Sequence, residues 1–269
     1  MLYSCSVFWQ LQNKISLWRF RYLLLLLVWR DVKSRYKQAL FGFAWAVLTP
    51  TFQALVFWLV FGMVFKVPQG KIPYLPLVFT GFIFWNFFSQ SVSSATLSVT
   101  GNSNLVTKVA FPKEILILSS VLSRIPDLVA SLLVLIIIIV FFHIGISVYI
   151  FWVVPILIIE MLLALAIGMF FSSINVYFRD VTAIIPIILM AWLFLTPVLY
   201  PLDLVPAKYQ LIAKLNPMTG VLEGLRRAVL TSGPPEVASM LITLAVTFVL
   251  IVVSYVLFKK LEKGFADVI

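Results

Sequence analysis

Six stretches of this chain, 40–65, 74–99, 115–142, 149–177, 181–200 and 237–258, are long, apolar and almost free of charge. A helix needs roughly 20 such residues to cross the hydrocarbon core of a bilayer. Inside that core each backbone amide must be satisfied within the protein, so stretches of this length are expected to be helices. The chain of 269 residues is 62% hydrophobic and 11% charged, with a mean hydropathy of +1.10, which is more apolar material than a soluble core would use. The expected fold is therefore all-α and integral to a membrane. It comprises a cytoplasmic segment 1–39, a six-span domain 40–258 and a cytoplasmic tail 259–269, with no repeat or linker marking a second domain.

Charge sets the expected orientation. Seven Lys or Arg fall in the first 39 residues (Lys14, Arg19, Arg21, Arg30, Lys33, Arg35 and Lys37), and the tail carries Lys259, Lys260 and Lys263. Basic residues stay on the cytoplasmic side, and an even number of spans puts both ends there. Segments 101–114 and 179–180 are then inside, and 66–73, 143–148 and 201–236 outside. The last of these carries Lys208, Lys214, Arg226 and Arg227, so the asymmetry is incomplete. The net charge of +10 comes from residues that punctuate apolar runs, which fits membrane orientation better than nucleic-acid binding.

The run 22–29 is apolar but too short to cross, and charges follow it instead of a small-residue cleavage site, so a mature element is expected, not a signal peptide. Beyond it Arg30, Lys33 and Lys37 share one helical face, and Val32, Tyr36, Ala39 and Leu40 the other. Asp31 is placed to pair with Arg35 one turn on. The pattern describes an amphipathic helix lying in the interface. The outer segment 201–236 holds two apolar stretches too short to span, separated by Asn216-Pro217. Two short re-entrant helices are expected there, because backbone at that depth must be shielded by protein.

Cys5 and His143 are the only residues of their types, which excludes disulfide frameworks and Cys/His metal sites. No phosphate-binding loop, zincin motif, nucleophile elbow or dinucleotide turn occurs, so no catalytic residue is assigned, and any ATP hydrolysis belongs to another chain. Three charges lie within spans: Arg124 and Asp127, three apart around Pro126 and able to pair on a helix, and Glu160, alone and expected to face the bundle or a water-filled space, in a structural role through hydrogen bonds or in transport. The aromatics Phe41, Trp45, Phe52, Phe84, Trp85 and Phe88 suit either lipid contact or a sugar-polymer path, with the Ser, Asn and Gln residues of the second span as polar partners. The stretch 101–114 starts with capping residues and ends at Pro112. A short helix at the cytoplasmic surface there would suit docking to a partner.

Five stretches together resemble the membrane subunits of type-2 ABC exporters, in particular the O-antigen and capsular polysaccharide export permeases: RDVKSRYKQALFGFAW at 30–45 followed by Pro50, NLVTKVAFPKE at 104–114, NVYFRD at 175–180, TPVLYP at 196–201, and Asn216-Pro217. The resemblance covers nearly the whole chain. It implies a homodimer in the bacterial inner membrane, joined to two copies of a cytoplasmic ATPase that binds ATP and Mg, with no cofactor in this chain. It implies an undecaprenyl-diphosphate-linked polysaccharide as substrate, and a polymer channel at the dimer centre. The interfacial helix at 21–37, with Arg30, Asp31, Lys33, Arg35, Tyr36 and Lys37, would meet the lipid diphosphate. A coupling helix at 102–112 would use Asn104, Leu105, Lys108, Phe111 and Pro112, and periplasmic gate helices at 202–230 would follow Tyr200 and Pro201 and flank Asn216 and Pro217. Phe41 departs from the pattern, since many relatives carry Leu before the glycine. A teichoic acid or drug exporter and an ion-coupled transporter are the alternatives. A glycosyltransferase is disfavoured, because Asp203, Glu223 and Glu236 are scattered among cations.

Overall fold

A helix that ends early and one that breaks in the middle shape this bundle more than the long apolar runs do. The computed structural model describes residues 19–37, 41–64, 73–145 and 147–269. Cys5, Lys14, Ala39, Leu40 and most of the expected outer segment 66–73 lie outside them. The described residues form helices α1 (Arg21–Tyr36), α2 (Trp45–Phe57), α3 (Tyr74–Leu97), α4 (Ser103–Lys108), α5 (Glu114–Leu122), α6 (Ile125–Phe141), α7 (Val153–Asn175), α8 (Val181–Leu195), α9 (Ala207–Leu215), α10 (Pro217–Leu230), α11 (Val237–Leu261) and α12 (Phe265–Val268). A 3-10 turn at Gly42–Ala44 leads into α2, and a π-helical stretch, Trp58–Val64, extends it.

Among the described residues five helical segments are long and apolar enough to cross a membrane: Gly42–Val64, Tyr74–Leu97, Glu114–Phe141, Val148–Asn175 and Val237–Gly264. The stretch expected as the fifth span is different, for α8 has only 15 residues. At 1.5 Å per residue it reaches about 22 Å, short of a hydrocarbon core of roughly 30 Å. It ends because Pro197 clashes with an α-conformation at the residue before it, and Thr196 is accordingly extended.

The break lies between α5 and α6. Pro126 occupies the first turn of α6, where its missing N–H is tolerated. The α5 helix stops at Leu122, and the carbonyl of Ser123 becomes free to accept from elsewhere.

The axis of the bundle is α3, whose span is 78% buried, against 11% for the span that contains α2. Phe79, Phe82, Phe84 and Phe88 of α3 are fully enclosed. Helices α2, α5, α6, α7, α8 and α10 pack around it, and α11 closes against α7 and α10. The α3 and α7 backbones approach closely at Gly168, where an added Cβ would lie 2.4 Å from that of Ala95. A second, smaller core joins Leu27 of α1 to Val106, Phe111, Ile115, Phe258 and Phe265.

Gly168→Val should force α3 and α7 apart and destabilise the chain by about 1 to 3 kcal/mol, read as a lowered unfolding midpoint in detergent. Gly101→Ala, where an added Cβ meets nothing within 4 Å, should leave that midpoint unchanged.

Candidate functional site

The α1 helix packs along α5, turning Leu23, Leu24 and Leu27 towards the smaller core. That register delivers Arg35 and Tyr36 to the α5–α6 break. Arg35 Nη1 donates to Asp127 Oδ2 at 2.6 Å, its Nη2 donates to the freed carbonyl of Ser123, and its Nε donates to the Asp31 carbonyl at 3.3 Å. The Tyr36 hydroxyl donates to Asp127 Oδ1. Burial first, and then the Asp127 carboxylate, raise the Tyr36 phenol well above its usual range, so it remains a donor.

Arg124 completes the clasp from the other side. Its Nη1 lies 3.6 Å from Asp127 Oδ2 and donates to Gln90 Oε1 at 2.7 Å, while Nε donates to Ser94 Oγ at 3.1 Å. One carboxylate thus joins α1, α6 and, through Arg124, α3. Ser131 Oγ donates to the Ala46 carbonyl at 3.0 Å, and Asn86 Nδ2 donates to Gln53 Oε1 at 2.6 Å, which ties in α2. Arg35, Tyr36, Asn86, Gln90, Arg124, Asp127 and Ser131, with Trp45 and Thr49, line a half-open cavity of about 260 Å³.

Three expectations meet here and are partly revised. The Arg124–Asp127 pair forms, but the closest partners of the carboxylate are Arg35 and Tyr36. Asp31 does not pair with the Arg35 side chain. It binds Arg30 at 2.8 Å, because Arg35 turns inward to a carboxylate that is better shielded from water. The outward face of α1 carries Tyr22, Leu25, Leu26 and Trp29 and then Arg30, Lys33 and Lys37, so apolar and basic residues separate along its length. Lys33 and Lys37 make no ion pair among the described residues.

The aromatic candidates divide. Phe41, Trp45 and Phe52 are 55%, 48% and 61% exposed, whereas Phe84, Trp85 and Phe88 are buried within this chain. The last three offer no free face to a polymer: Trp85 and Phe88 meet Trp192 of α8 edge-on, at 6.4 and 5.3 Å between ring centres. Glu160 does face the bundle, fully buried, yet neither of its oxygens has a hydrogen-bond partner among the described residues, so the expected hydrogen bonds are absent.

The expected helix 102–112 is shorter than its sequence suggests. The α4 helix holds Asn104, Leu105 and Lys108 and stops there; Val109 is extended, which lets Phe111 insert into the smaller core ahead of Pro112. A cleft of about 960 Å³ separates this segment from the end of α11, with Lys108, Lys113, Lys260 and Lys263 around it. Lys259 is held by Glu114 and Glu262.

At the opposite end the Asn216-Pro217 break is present. Pro217 opens α10, and Asn216 caps it by accepting from Met218 N at 3.1 Å. The same side chain accepts from Trp192 Nε1 at 3.0 Å and donates to Thr196 Oγ1 at 2.8 Å. Pro201 precedes the short turn Leu202–Leu204 that leads to α9. Arg226 had been counted only as an outer charge, but it is the centre of this end. It is 3% exposed and donates to the carbonyls of Pro197 (2.6 Å), Val198 (2.7 Å), Tyr200 (3.3 Å) and Leu77 (3.4 Å), and to Glu223 at 3.1 Å. Tyr74 adds a bond to the Leu199 carbonyl at 2.7 Å. The clue in the sequence was an Arg three residues after a Glu on an otherwise apolar face.

Residues 22–230 match the model of the family described as ABC-2 type transporter. The chain is 27% identical to an O-antigen export system permease protein RfbA of Klebsiella pneumoniae, over 92% of this chain and 95% of that one. It is 29% identical to the protein of that name from Myxococcus xanthus, over 94% and 97%. It is 22% identical to the polysialic acid transport protein KpsM of Escherichia coli, over 87% and 92%.

Asp127→Ala would leave two guanidinium groups facing each other without their shared anion. It should cost on the order of 3 kcal/mol and speed hydrogen exchange in α1. Asp31→Ala, which removes an exposed pair, should stay within about 0.5 kcal/mol of wild type. Arg226→Met should leave the buried carbonyls of Pro197 and Val198 without this donor and lower the unfolding midpoint more than Arg227→Met, since each unmet buried acceptor costs about 1 to 3 kcal/mol.

Proposed function

The chain belongs to the ABC-2 type transporter family, and from that premise we propose that it is the permease subunit of an ATP-driven exporter of lipid-linked polysaccharide, of the O-antigen kind, in the bacterial inner membrane. The observation that carries this reading is the near full-length similarity to permeases named for O-antigen export and polysialic acid transport. The family match takes in α1, the Asp127 clasp and α10 alike. Membership sets aside the ion-coupled alternative, and the polysaccharide names of the relatives favour this cargo over teichoic acids or drugs.

In this reading two copies of the chain assemble with two copies of a separate ATPase, which holds ATP and Mg. The α8 helix and the extended residues after it make the fifth of six passes, and both termini are cytoplasmic. Helices α9 and α10 form the periplasmic gate. Phe41, Trp45 and Phe52, which keep exposed faces, border the polymer path.

The ATPase docks at α4. A push there passes through Phe111 and Pro112 to α5, and from the α5–α6 break to Asp127 and α1. The clasp therefore lies between the energy source and the interfacial helix. Lys33 and Lys37, with Arg30 beside them, are the cations free to meet an undecaprenyl diphosphate, each worth about 1 kcal/mol near an anionic surface. Arg35 is engaged by Asp127 and acts by positioning α1.

Expression of the chain with its ATPase in cells lacking their own exporter should restore polysaccharide at the cell surface. Mutating the phosphate-loop lysine of the ATPase should abolish it. Export that survives that mutation would overturn the reading. Lys33→Glu combined with Lys37→Glu should cut export while leaving the assembly intact on gel filtration.

A further inference from the structure

The cavity beneath the clasp, at about 260 Å³, falls just below the roughly 300 Å³ at which pockets for drug-sized ligands begin. It has room for one ring. Its walls combine an aromatic face with polar groups of both senses. Trp45 contributes a half-exposed indole. Asn86 uses its amide nitrogen on Gln53, and its carbonyl oxygen makes no hydrogen bond among the described residues. Gln90 is the reverse: its oxygen accepts from Arg124, and its amide nitrogen has no acceptor among the described residues. Asn86 and Gln90 thus bring a free acceptor and a free donor to one small space, one turn apart on the polar stripe of α3. Both residues are part-buried, so a polar occupant of the pocket would find an acceptor and a donor already positioned.

Charge decides the class of occupant. Arg35 is engaged by Asp127, the Ser123 carbonyl and the Asp31 carbonyl, and Arg124 by Gln90 and Ser94 beside Asp127. An anion approaching either guanidinium would compete with the Asp127 carboxylate already beside it. An uncharged ring bearing hydroxyls faces no such opposition. It would donate to the Asn86 oxygen, accept from the Gln90 nitrogen, and lay its C–H face on the indole of Trp45.

We propose that this cavity is a subsite for one neutral pyranose ring of a saccharide chain. The proposal rests on the polysaccharide reading above and deepens it, by placing a sugar-recognising pocket beside the clasp that positions α1.

The test uses the full chain with its ATPase in nanodiscs, titrated with glucose, galactose, mannose and N-acetylglucosamine and, separately, with inorganic pyrophosphate, and followed by saturation-transfer NMR. At least one hexose should give a saturable signal that pyrophosphate does not displace. Trp45→Ala and Gln90→Leu should each weaken it roughly tenfold, about 1.4 kcal/mol, and Trp45→Phe should restore much of it. Trp45 is half exposed, so its variants test binding even if Gln90→Leu fails to fold. The proposal is overturned if no hexose saturates, if both variants bind as wild type, or if pyrophosphate competes and its own signal disappears in Arg124→Gln. Surface polymer in cells deleted for the chain separates the two levels. Polymer that still appears removes the export reading itself, whereas export that depends on the chain without any hexose signal removes only the subsite.

Discussion

A charge that enters a bilayer must bring its partner with it, and Asp127 is where this chain meets that demand. Its carboxylate is shared by Arg35, Tyr36 and Arg124, from two separate parts of the sequence, and its neighbours reach α3 through Gln90 and Ser94. Without it, α1 would be held to the bundle by the apolar contacts of Leu23, Leu24 and Leu27 and by the bond from Arg35 to the Ser123 carbonyl. With it, α1 has a fixed azimuth, apolar and basic residues outward. The clasp also explains why a proline-induced break in a span is tolerated. The carbonyl that the break releases becomes an acceptor for Arg35.

Much of the architecture was legible because the bilayer imposes simple rules. Span length, the position of the Asn216-Pro217 break and the leucines on α1 all follow from local pattern, and helices occur at each. The limits are equally physical. Periodicity reports neighbours three and four residues away and is silent on Arg35 and Asp127, which are 92 positions apart. In a soluble protein an apolar residue is a core residue, but in a membrane it serves the core and the lipid face equally well. Phe84 and Phe88 therefore read like Phe41 and Phe52, though the first two are enclosed and the others exposed. The shortness of α8 was written in Pro197, but hydropathy runs straight through a proline.

Arg226 shows the same limit from the polar side. Counted by topology it was a cation on the wrong side of the membrane, weakening the orientation argument. Folded, it gathers backbone carbonyls of the segment that follows α8, and it fixes them to α10 and to the start of α3. The early end of α8 and the buried cation belong together, because the non-helical residues that follow the helix present their carbonyls to Arg226. Gly81 serves that arrangement, since an added Cβ there would lie 2.6 Å from the Val198 carbonyl oxygen.

The two helices that follow α8 differ in how they are held. Nearly all of α10 is buried, with Arg226 at its heart, whereas α9 has no buried residue and turns Tyr209, Leu211, Ile212 and Leu215 outward. They meet at Asn216, whose extended backbone belongs to neither helix. In mechanical terms these are two leaves, one riveted to the bundle and the other hung at the Asn216 joint and along its edge with α11. Displacing the hung leaf breaks an outer ion pair, Lys214 to Glu236, and little of the interior. Displacing the riveted one would dismantle the end of the bundle.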